Sequence, residues 1–313
     1  MKHIPFLLNL IGFSVVVLAA VFGIGDIRKE QLTVYVGTVE RQLPDIAVEL
    51  HSFKIEYYDD RTPKRFESDI TVYTEDGAAI RGSVEVNKPL SAAGWKIYQY
   101  GYDEALGSES PYSVFLLVTD PWLPAAYAGI FIMLAGAVSV LLTRRYSSRR
   151  KKLILPCALL LAAAFVCFFT PMLRAGSLAP ALQSPWFVPH VTVYMLSYAL
   201  MTVATVMSLF KKADPVTVDD IVFAGYAFFT IGMLFGALWA KEAWGHYWTW
   251  DPKETWAAVT WACTLLYMHL RLLHPEKWQA ARAVLLLTFV CLQVCWWGLS
   301  LLPSIQALSL HVY

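Results

Sequence analysis

The sequence predicts a polytopic α-helical membrane protein with about seven transmembrane helices and a small extracytoplasmic β domain. The first observation is that 57% of the 313 residues are hydrophobic, with a mean hydropathy of +0.49. The second is that only 16% are charged, against roughly 25% in an ordinary soluble domain. The third is a single polar region, residues 26–120, with strand-like alternation. Together these observations exclude a soluble globular enzyme and a disordered chain.

Seven apolar stretches are long enough to cross a bilayer, which takes about 20 helical residues. The first, within residues 1–25, could be an uncleaved signal anchor or a cleaved signal peptide; the anchor is favoured, because VFGIGD is a poor small-residue cleavage site. The predicted spans are Ile4–Ile24, Pro121–Leu142, Leu153–Leu173, Trp186–Phe210, Ile221–Ala240, Pro252–Leu270 and Ala283–Leu302.

The basic residues indicate how the chain is oriented. They cluster at Lys2, in the loop 143–152, at Lys211 and Lys212, and between spans six and seven. With seven spans these clusters share one side, which the positive-inside rule makes cytoplasmic. We therefore predict a multi-pass protein of the inner (cytoplasmic) membrane, in contact with membrane lipid. The polar region, the loop between spans five and six and the carboxyl terminus would lie outside.

Residues 26–120 show the alternation expected of strands. The runs are FKIEYYDD, SDITVYTEDG, IRGSVEVN and GWKIYQYGYD, separated by turn residues such as Asp-Gly. They are rich in Val, Ile, Tyr and Thr, which strands favour. We predict a small β-sandwich-like or β-roll domain between spans one (residues 1–25) and two (residues 121–142).

Net charge and cysteine usage exclude two further functions. The chain carries 25 basic and 24 acidic residues, so no basic field favours nucleic acid as a partner. The five cysteines all lie in apolar runs without a C-x-x-C. They are expected to pack as small hydrophobic side chains rather than to carry thiol redox chemistry.

The loop between spans five and six is rich in tryptophan. Six of the 12 tryptophans fall within residues 239–261, and the segment reads WAKEAWGHYWTWDPKETWAAVTW. Trp244, Tyr247, Trp248, Trp250 and Trp256 could form a flat apolar platform for a large planar ligand. They could equally form an interfacial belt.

Two acidic residues of this loop, Asp251 and Glu254, flank the predicted start of span six. Asp251 can serve as a helix N-cap, with Pro252 as the first helical residue and Glu254 completing a capping box. A capping role for both carboxylates is favoured over general acid–base catalysis.

Three of the seven histidines have placements that suggest ligation. His190 lies at the outer end of span four and His311 follows span seven, on the same side as the tryptophan-rich loop. Two imidazoles flanking an aromatic platform are the arrangement expected for bis-histidine haem ligation. His269 lies inside span six, where an ionisable residue is a functional candidate, although interfacial snorkelling beside Arg271 is favoured. His246 could ligate or merely donate a hydrogen bond.

These segments resemble a known family. WGHYWTWDPKETW (residues 244–256) resembles the WWD motif of haem-handling proteins in cytochrome c biogenesis. PHVTVYMLSYAL, YMHLR and WGLSLLPSIQALSLHVY, which contain His190, His269 and His311, resemble companion segments of CcsA. FKIEYYDDRTPKRFESDITVY and GSVEVNKPLSAAGWKIYQYGYD resemble CcsB (ResB). The whole chain resembles a shortened, fused CcsB–CcsA protein of system II.

The resemblance implies a haem-handling membrane domain at residues 153–313, with the WWD loop at 241–256, and haem b as the ligand and substrate. It implies axial ligation by His190 and His311, and His269 as an intramembrane ligand. It assigns haem contacts to the motif positions Trp244, Gly245, Tyr247, Trp248, Trp250, Asp251 and Trp256.

The resemblance also implies an activity and partners. The activity is cytochrome c synthase (haem lyase): haem delivered across the membrane is attached covalently to the C-x-x-C-H of apocytochrome c at the outer face. The alternatives are a haem exporter or chaperone, and an assembly subunit without ligase activity. Further partners are thiol-reducing proteins and a CcsB-like subunit. One departure is Leu10, where relatives tend to carry a histidine in the first span.

Overall fold

The computed structural model of the protein describes residues 4–143 and 178–298. The predicted third span Leu153–Leu173 and the predicted ligand His311 lie outside these residues. Six long helices lie within them: α1 (Ile4–Gly23), α2 (Leu123–Thr143), α3 (Phe187–Leu209), α4 (Pro215–Trp244), α5 (Pro252–Leu273) and α6 (Trp278–Gln293). All but α5 belong to segments that are long and apolar enough to cross a membrane. The polytopic helical class with a small β domain is confirmed.

Helix α4 is longer than the predicted fifth span at both ends. It begins at Pro215 because the Asp214 carboxylate accepts hydrogen bonds from the backbone N–H groups of Val216 and Thr217, at 3.3 and 3.2 Å. It ends at Trp244 because Gly245 adopts a left-handed conformation (φ 79°). The predicted loop 241–256 is therefore helical at both ends, and only residues 245–251 connect α4 to α5.

The polar region forms two antiparallel four-stranded sheets that share one core. One sheet has the order β1-β8-β7-β6 and the other β2-β3-β4-β5. The strands are β1 (Arg28–Tyr35), β2 (Val39–Glu40), β3 (Ile46–Tyr57), β4 (Pro63–Thr74), β5 (Ala79–Glu85), β6 (Leu90–Ala92), β7 (Trp95–Tyr102) and β8 (Tyr112–Thr119). Alternating residues such as Leu32, Ile97 and Phe115 are buried in a common cluster. This arrangement agrees with the predicted sandwich-like domain.

Close helix packing in the membrane part depends on small residues. A Cβ added to Gly12 of α1 would lie 2.7 Å from the carbonyl oxygen of Gly129 of α2. A Cβ on Gly129 would lie 2.8 Å from the Gly12 carbonyl oxygen. The two backbones therefore touch, as is common where helices associate in lipid. Helix α4 contacts α2, α3 and α5 and is the most buried of the candidate spans.

A buried ion pair ties the beginning of α4 to the end of α5. The guanidinium of Arg271 donates to both carboxylate oxygens of Asp219, at 2.9 and 3.0 Å, and the hydroxyl of Tyr267 donates to Asp219 at 2.7 Å. All three residues are buried. A bidentate pair of this kind restricts how the two helices can slide, so it helps to set the register of the loop at their other ends.

The β domain contacts the membrane part directly. The side-chain amide of Asn87 donates to the carbonyl oxygen of Pro180 at 2.8 Å, and that of Gln183 donates to the Lys64 carbonyl oxygen at 2.7 Å. Pro180 and Gln183 belong to a 3-10 turn just before α3. The β domain is thus attached next to the start of α3, where His190 lies.

Candidate functional site

The turn after α4 lies directly under the β domain. A Cβ on Gly245 would lie 3.1 Å from a ring carbon of Tyr98 and 3.3 Å from a methyl carbon of Val118. The position requires glycine both for this contact and for its positive φ. Strands β7 and β8 therefore press on the first residue of the connecting loop and limit where it can go.

The end of the loop is a capping box, as the sequence predicts. The carboxylate of Asp251 accepts from the backbone N–H of Lys253 at 2.7 Å. The carboxylate of Glu254 accepts from the N–H groups of Thr249 and Asp251, at 2.7 and 3.3 Å. The capping roles of Asp251 and Glu254 are confirmed.

An apolar cavity of about 380 Å³ lies between the loop and helices α3 to α6. This volume lies within the range typical of small-molecule sites, roughly 300–1,000 Å³. Its walls are mostly aromatic and aliphatic, with few polar groups. The lining residues are Leu182, Phe187, His190, Val191, Tyr194, Tyr198, Met233, Gly236, Ala237, Tyr247, Trp248, Lys253, Glu254, Ala257, Leu292, Cys295, Trp296 and Trp297.

The imidazole of His190 is oriented by two features of α4. Its Nδ1 donates a hydrogen bond to the backbone carbonyl oxygen of Gly232 at 2.8 Å. In that tautomer Nε2 carries the lone pair that a metal ion requires, and metal-ligating histidines commonly have such a second partner. A Cβ on Gly236 would lie 2.7 Å from Cε1 of the ring. The ring therefore fits against α4 only because residue 236 is glycine.

Tyr194 and Tyr198 extend the same wall of the cavity. They follow His190 at intervals of four residues and so lie on the same face of α3. A Cβ on Gly232 would lie 2.4 Å from a ring carbon of Tyr194. The hydroxyl of Tyr198 donates to the side-chain oxygen of Gln293 of α6 at 2.7 Å. Neither tyrosine is among the site residues predicted from the sequence, although their four-residue spacing from His190 indicates a shared helix face.

The aromatic residues of the predicted platform do not all line the cavity. Tyr247 and Trp248 line the cavity, whereas Trp250 has 71% of its surface exposed. Trp244 packs on Trp239 with ring centroids 5.0 Å apart, in a cluster beside the cavity. Trp256 is half-buried in the second turn of α5 and is not among the lining residues.

Two tryptophans outside the predicted platform contribute aromatic surface to the cavity as well. Trp296 and Trp297 lie in a π-helical turn, Val294–Gly298, at the end of α6 and line the cavity. In the sequence they fall within the predicted seventh span, Ala283–Leu302. A Trp-Trp pair in an apolar segment was the signal available.

Among the residues that the structure describes, the other histidines lie apart from the cavity lining. His269 is exposed on α5, where its Nδ1 donates to the Leu265 carbonyl oxygen at 3.2 Å. His246 stacks on Trp244 with ring centroids 6.3 Å apart. Of the predicted iron ligands, the described residues place only His190 at the cavity.

Buried polar groups connect the loop to the β domain. The ammonium of Lys241 donates to the Gly245 carbonyl oxygen at 3.1 Å, lies 3.8 Å from a carboxylate oxygen of Asp120 and lies 4.9 Å from the ring centroid of Tyr247. Burial raises the pKa of the Tyr247 hydroxyl, and it does the same for the pKa of Tyr98. Both phenols are therefore neutral hydrogen-bonding groups in a water-poor region.

The fold and this site define a polytopic helical membrane protein with an aromatic cavity that contains a histidine, beside a β-sandwich. Residues 122–306 match the model of the family described as cytochrome C assembly protein, and residues 3–111 match that of the ResB-like family. The chain belongs to the cytochrome c assembly protein family, in the fused ResB–CcsA organisation of system II.

Similar proteins share the name cytochrome c biogenesis protein CcsA. That of Chlamydomonas reinhardtii is 38% identical over 181 residues, which cover 51% of this chain and 50% of the relative. That of Prochlorococcus marinus strain AS9601 is 32% identical over 199 residues, covering 49% and 62%. That of Cyanophora paradoxa is 27% identical over 276 residues, covering 64% and 84%. The chain thus spans about half to three-fifths of the length of the first two relatives.

Proposed function

We propose that the cavity binds haem b as a substrate and that the protein is a cytochrome c synthase. Family membership supports a role in cytochrome c biogenesis. The observation that carries the finer proposal is His190. Its imidazole lines an aromatic cavity, and its Nδ1 is engaged by the Gly232 carbonyl oxygen at 2.8 Å. A histidine that ligates iron is commonly held in this way, with its other ring nitrogen donating a hydrogen bond to a carbonyl oxygen or a carboxylate.

The cavity walls suit a flat, apolar macrocycle. Tyr194, Tyr247, Trp248 and Trp296 provide ring surfaces on several sides, and aromatic rings pack well against a planar π-system. We propose His311 as the second axial ligand and His269 as a ligand on an intramembrane path. Trp244, Gly245, Asp251 and Trp256 act indirectly, by shaping the loop that carries Tyr247 and Trp248.

In the proposed reaction the protein positions substrates and adds no atoms to the product. The S–H of each cysteine in the C-x-x-C-H of apocytochrome c adds across a haem vinyl C=C bond. A C–S bond forms to one vinyl carbon and the hydrogen goes to the other, so no external oxidant is consumed. The protein holds the haem edge where the two thiols can reach it.

The β domain is the proposed receiver of apocytochrome c. Its strands β7 and β8 touch Gly245, and Asp120, which follows β8, lies 3.8 Å from Lys241. A client held by this domain would lie beside the loop that covers the cavity. We propose that the domain, the loop and the carboxyl terminus face the outer side of the membrane.

The ligand assignment is tested by comparing His190→Ala with His274→Ala in the purified full chain. His274 is exposed at the end of α5 and lies 3.4 Å from a Glu276 carboxylate oxygen, away from the cavity. We expect the wild type and His274→Ala to copurify with haem that gives a low-spin, bis-histidine absorption spectrum. We expect His190→Ala to lose this spectrum. An unchanged spectrum in a His190→Ala, His311→Ala double variant would refute the axial assignment.

The synthase activity is tested separately, in a host that lacks its own cytochrome c maturation system. Expression of the chain together with an apocytochrome c is expected to yield covalent, haem-stainable cytochrome c in denaturing gels. Haem-loaded protein without covalent product would refute the synthase activity. It would instead support a haem exporter or chaperone.

A further inference from the structure

A second cavity, of about 320 Å³, lies where the β domain meets the ends of the membrane helices. Its lining includes the turn between β6 and β7, Lys96 of β7 and Asp120, which follows β8. It also includes Leu123 at the start of α2 and Lys241 in the last turn of α4. None of its described lining residues belongs to the lining of the aromatic cavity. It is therefore separate from the proposed haem site.

The sheet register places two lysines on the face of the β domain that meets the membrane helices. Lys29 of β1 and Lys96 of β7 both pair with Val118 of β8, the strand between them. Residues directly opposite each other in antiparallel strands have their side chains on the same face of the sheet. Val118 faces the connecting loop, since a Cβ on Gly245 would lie 3.3 Å from its methyl carbon. Lys29 and Lys96 therefore lie on this face too.

The charges around this cavity are unbalanced. Lys29 and Lys96 lie close enough to Lys241 to repel its positive charge. Asp120 is the only acidic residue among the described lining residues. One of its carboxylate oxygens lies 3.8 Å from the Lys241 ammonium, and the other accepts the backbone N–H of Trp122 at 3.1 Å. Within the part of the chain that the structure describes, neither Lys29 nor Lys96 forms an ion pair with a carboxylate. The excess positive charge favours an anion in the cavity.

The cavity lies at the level where lipid headgroups are expected. Leu123 and Lys241 mark the ends of two helices that are long and apolar enough to cross a membrane. A third such helix, α1, ends at the same level, where the ring of Phe22 stacks on that of Trp122 with centroids 5.8 Å apart. The indole N–H of Trp122 donates to the Asp26 carboxylate at 2.7 Å. A tryptophan with an apolar contact and a polar one is typical of the membrane–water interface, which is where lipid phosphates lie.

We propose that this cavity binds the phosphate group of an anionic phospholipid. Lys96 contacts the phosphate, and Lys29 and Lys241 contribute positive charge around it. Basic pockets beside membrane helices bind acidic lipid headgroups in this way. The bound lipid would reduce the repulsion among the three ammonium groups and would join the β domain to α2 and α4. The proposal does not depend on the haem site.

The test uses the purified full chain in a neutral detergent. Phosphatidylglycerol and phosphatidylcholine with identical acyl chains are added in turn, and the Kd of each is measured by native mass spectrometry. The choline amine offsets the phosphate charge, so the wild type is expected to bind phosphatidylglycerol at least about ten-fold more tightly. Lys96→Met is expected to weaken phosphatidylglycerol binding by about five-fold, and a Lys29→Met, Lys96→Met double variant by about 25-fold. Binding of phosphatidylcholine is expected to stay unchanged.

Two variants and a competitor serve as controls. Lys96→Arg keeps the positive charge and is expected to bind phosphatidylglycerol as the wild type does. Lys54→Met removes an exposed lysine of β3, in the other sheet, and is expected to change neither Kd. Inorganic phosphate at the concentration of the lipid is expected not to displace it, because a free ion has no acyl chains to hold it at the membrane boundary.

Four outcomes overturn the inference. Equal Kd values for the two lipids refute recognition of the negative charge. A loss in Lys54→Met that matches the loss in Lys96→Met shows a general attraction to surface lysines and refutes the site. A Lys96→Arg variant that binds as weakly as Lys96→Met refutes the role of the charge. Displacement by inorganic phosphate identifies a free anion as the ligand and refutes the assignment to a lipid.

Discussion

The His190 ring packs against α4 in a groove that exists because residue 236 is glycine. The substitution Gly236→Ala fills this groove with a single methyl group. The new Cβ would lie 2.7 Å from Cε1 and 2.8 Å from Nδ1 of the His190 ring. Ordinary van der Waals contact begins at 3.4 Å, so the ring has to move by about 0.7 Å. This movement also strains the 2.8 Å hydrogen bond between Nδ1 and the Gly232 carbonyl oxygen.

The expected effect on haem binding follows from these distances. Overpacking by one methyl group costs about 1–3 kcal/mol, and a weakened hydrogen bond adds up to about 1 kcal/mol. Because 1.4 kcal/mol is tenfold in Kd, a total cost of about 1–4 kcal/mol is expected to weaken haem binding in Gly236→Ala by roughly 5- to 700-fold. The measurement is a haem titration of the purified full chain, with the low-spin band as the signal.

The matched control is Gly225→Ala, on the same helix α4. Its Cβ would lie 2.9 Å from the sulfur of Met201, a flexible side chain that does not line the cavity. Both variants gain the same helix propensity, so the difference between them isolates the effect on His190. Equal haem affinity in Gly236→Ala and Gly225→Ala would refute the proposed role of the groove.

Two other predictions concern the loop and the β domain. Trp248→Ala is expected to lower the haem content of the purified protein several-fold, because Trp248 lines the cavity. Trp250→Ala is expected to leave the haem content unchanged, because Trp250 is exposed and is not among the lining residues. Equal losses in the two variants would contradict this prediction. In the β domain, the guanidinium of Arg65 donates two 2.7 Å hydrogen bonds to Glu85 and lowers its pKa. Ionised Glu85 therefore stabilises the folded state above the unfolded pKa of about 4.3, and this stability is lost as the pH falls through the lower folded value. In thermal unfolding of the full chain, Arg65→Met is expected to be less stable than the wild type by about 1 kcal/mol at pH 7 and equally stable in acid. A difference in stability that persists at acid pH would contradict the pairing of Arg65 with Glu85.

Local patterns in the sequence were sufficient for the elements of the fold. The alternation in residues 26–120 predicted strands, and β3, β4, β5 and β7 overlap the quoted runs. The capping signals at Asp251 and Glu254 predicted the start of α5. The sequence carries the equivalent signal at Asp214 and Pro215, six residues before the predicted start of the fifth span at Ile221. Such signals can be read from the sequence, because each involves residues that are only a few positions apart.

The composition of the site could be predicted only in part. His190, Tyr247 and Trp248 were named from the sequence and do line the cavity. Trp250 was named with them and faces outward, because its position depends on the path of a loop whose backbone reaches φ 59° at that residue. Residue type and density suggested an aromatic surface, but they could not show which rings face inward.

By itself, the sequence determined the class of protein, the helices and strands, and the family, because hydropathy, periodicity, capping and motif spacing are properties of contiguous residues. Only the tertiary structure decided which side chains meet. The cavity joins residues as far apart in the chain as Leu182 and Trp297. His190 fits there because two glycines one turn apart on α4 admit its ring and that of Tyr194. The contact of Tyr98 with Gly245 likewise joins a strand to a loop nearly 150 residues away. These contacts depend on how separate helices and sheets pack, and no local pattern encodes the distance between them.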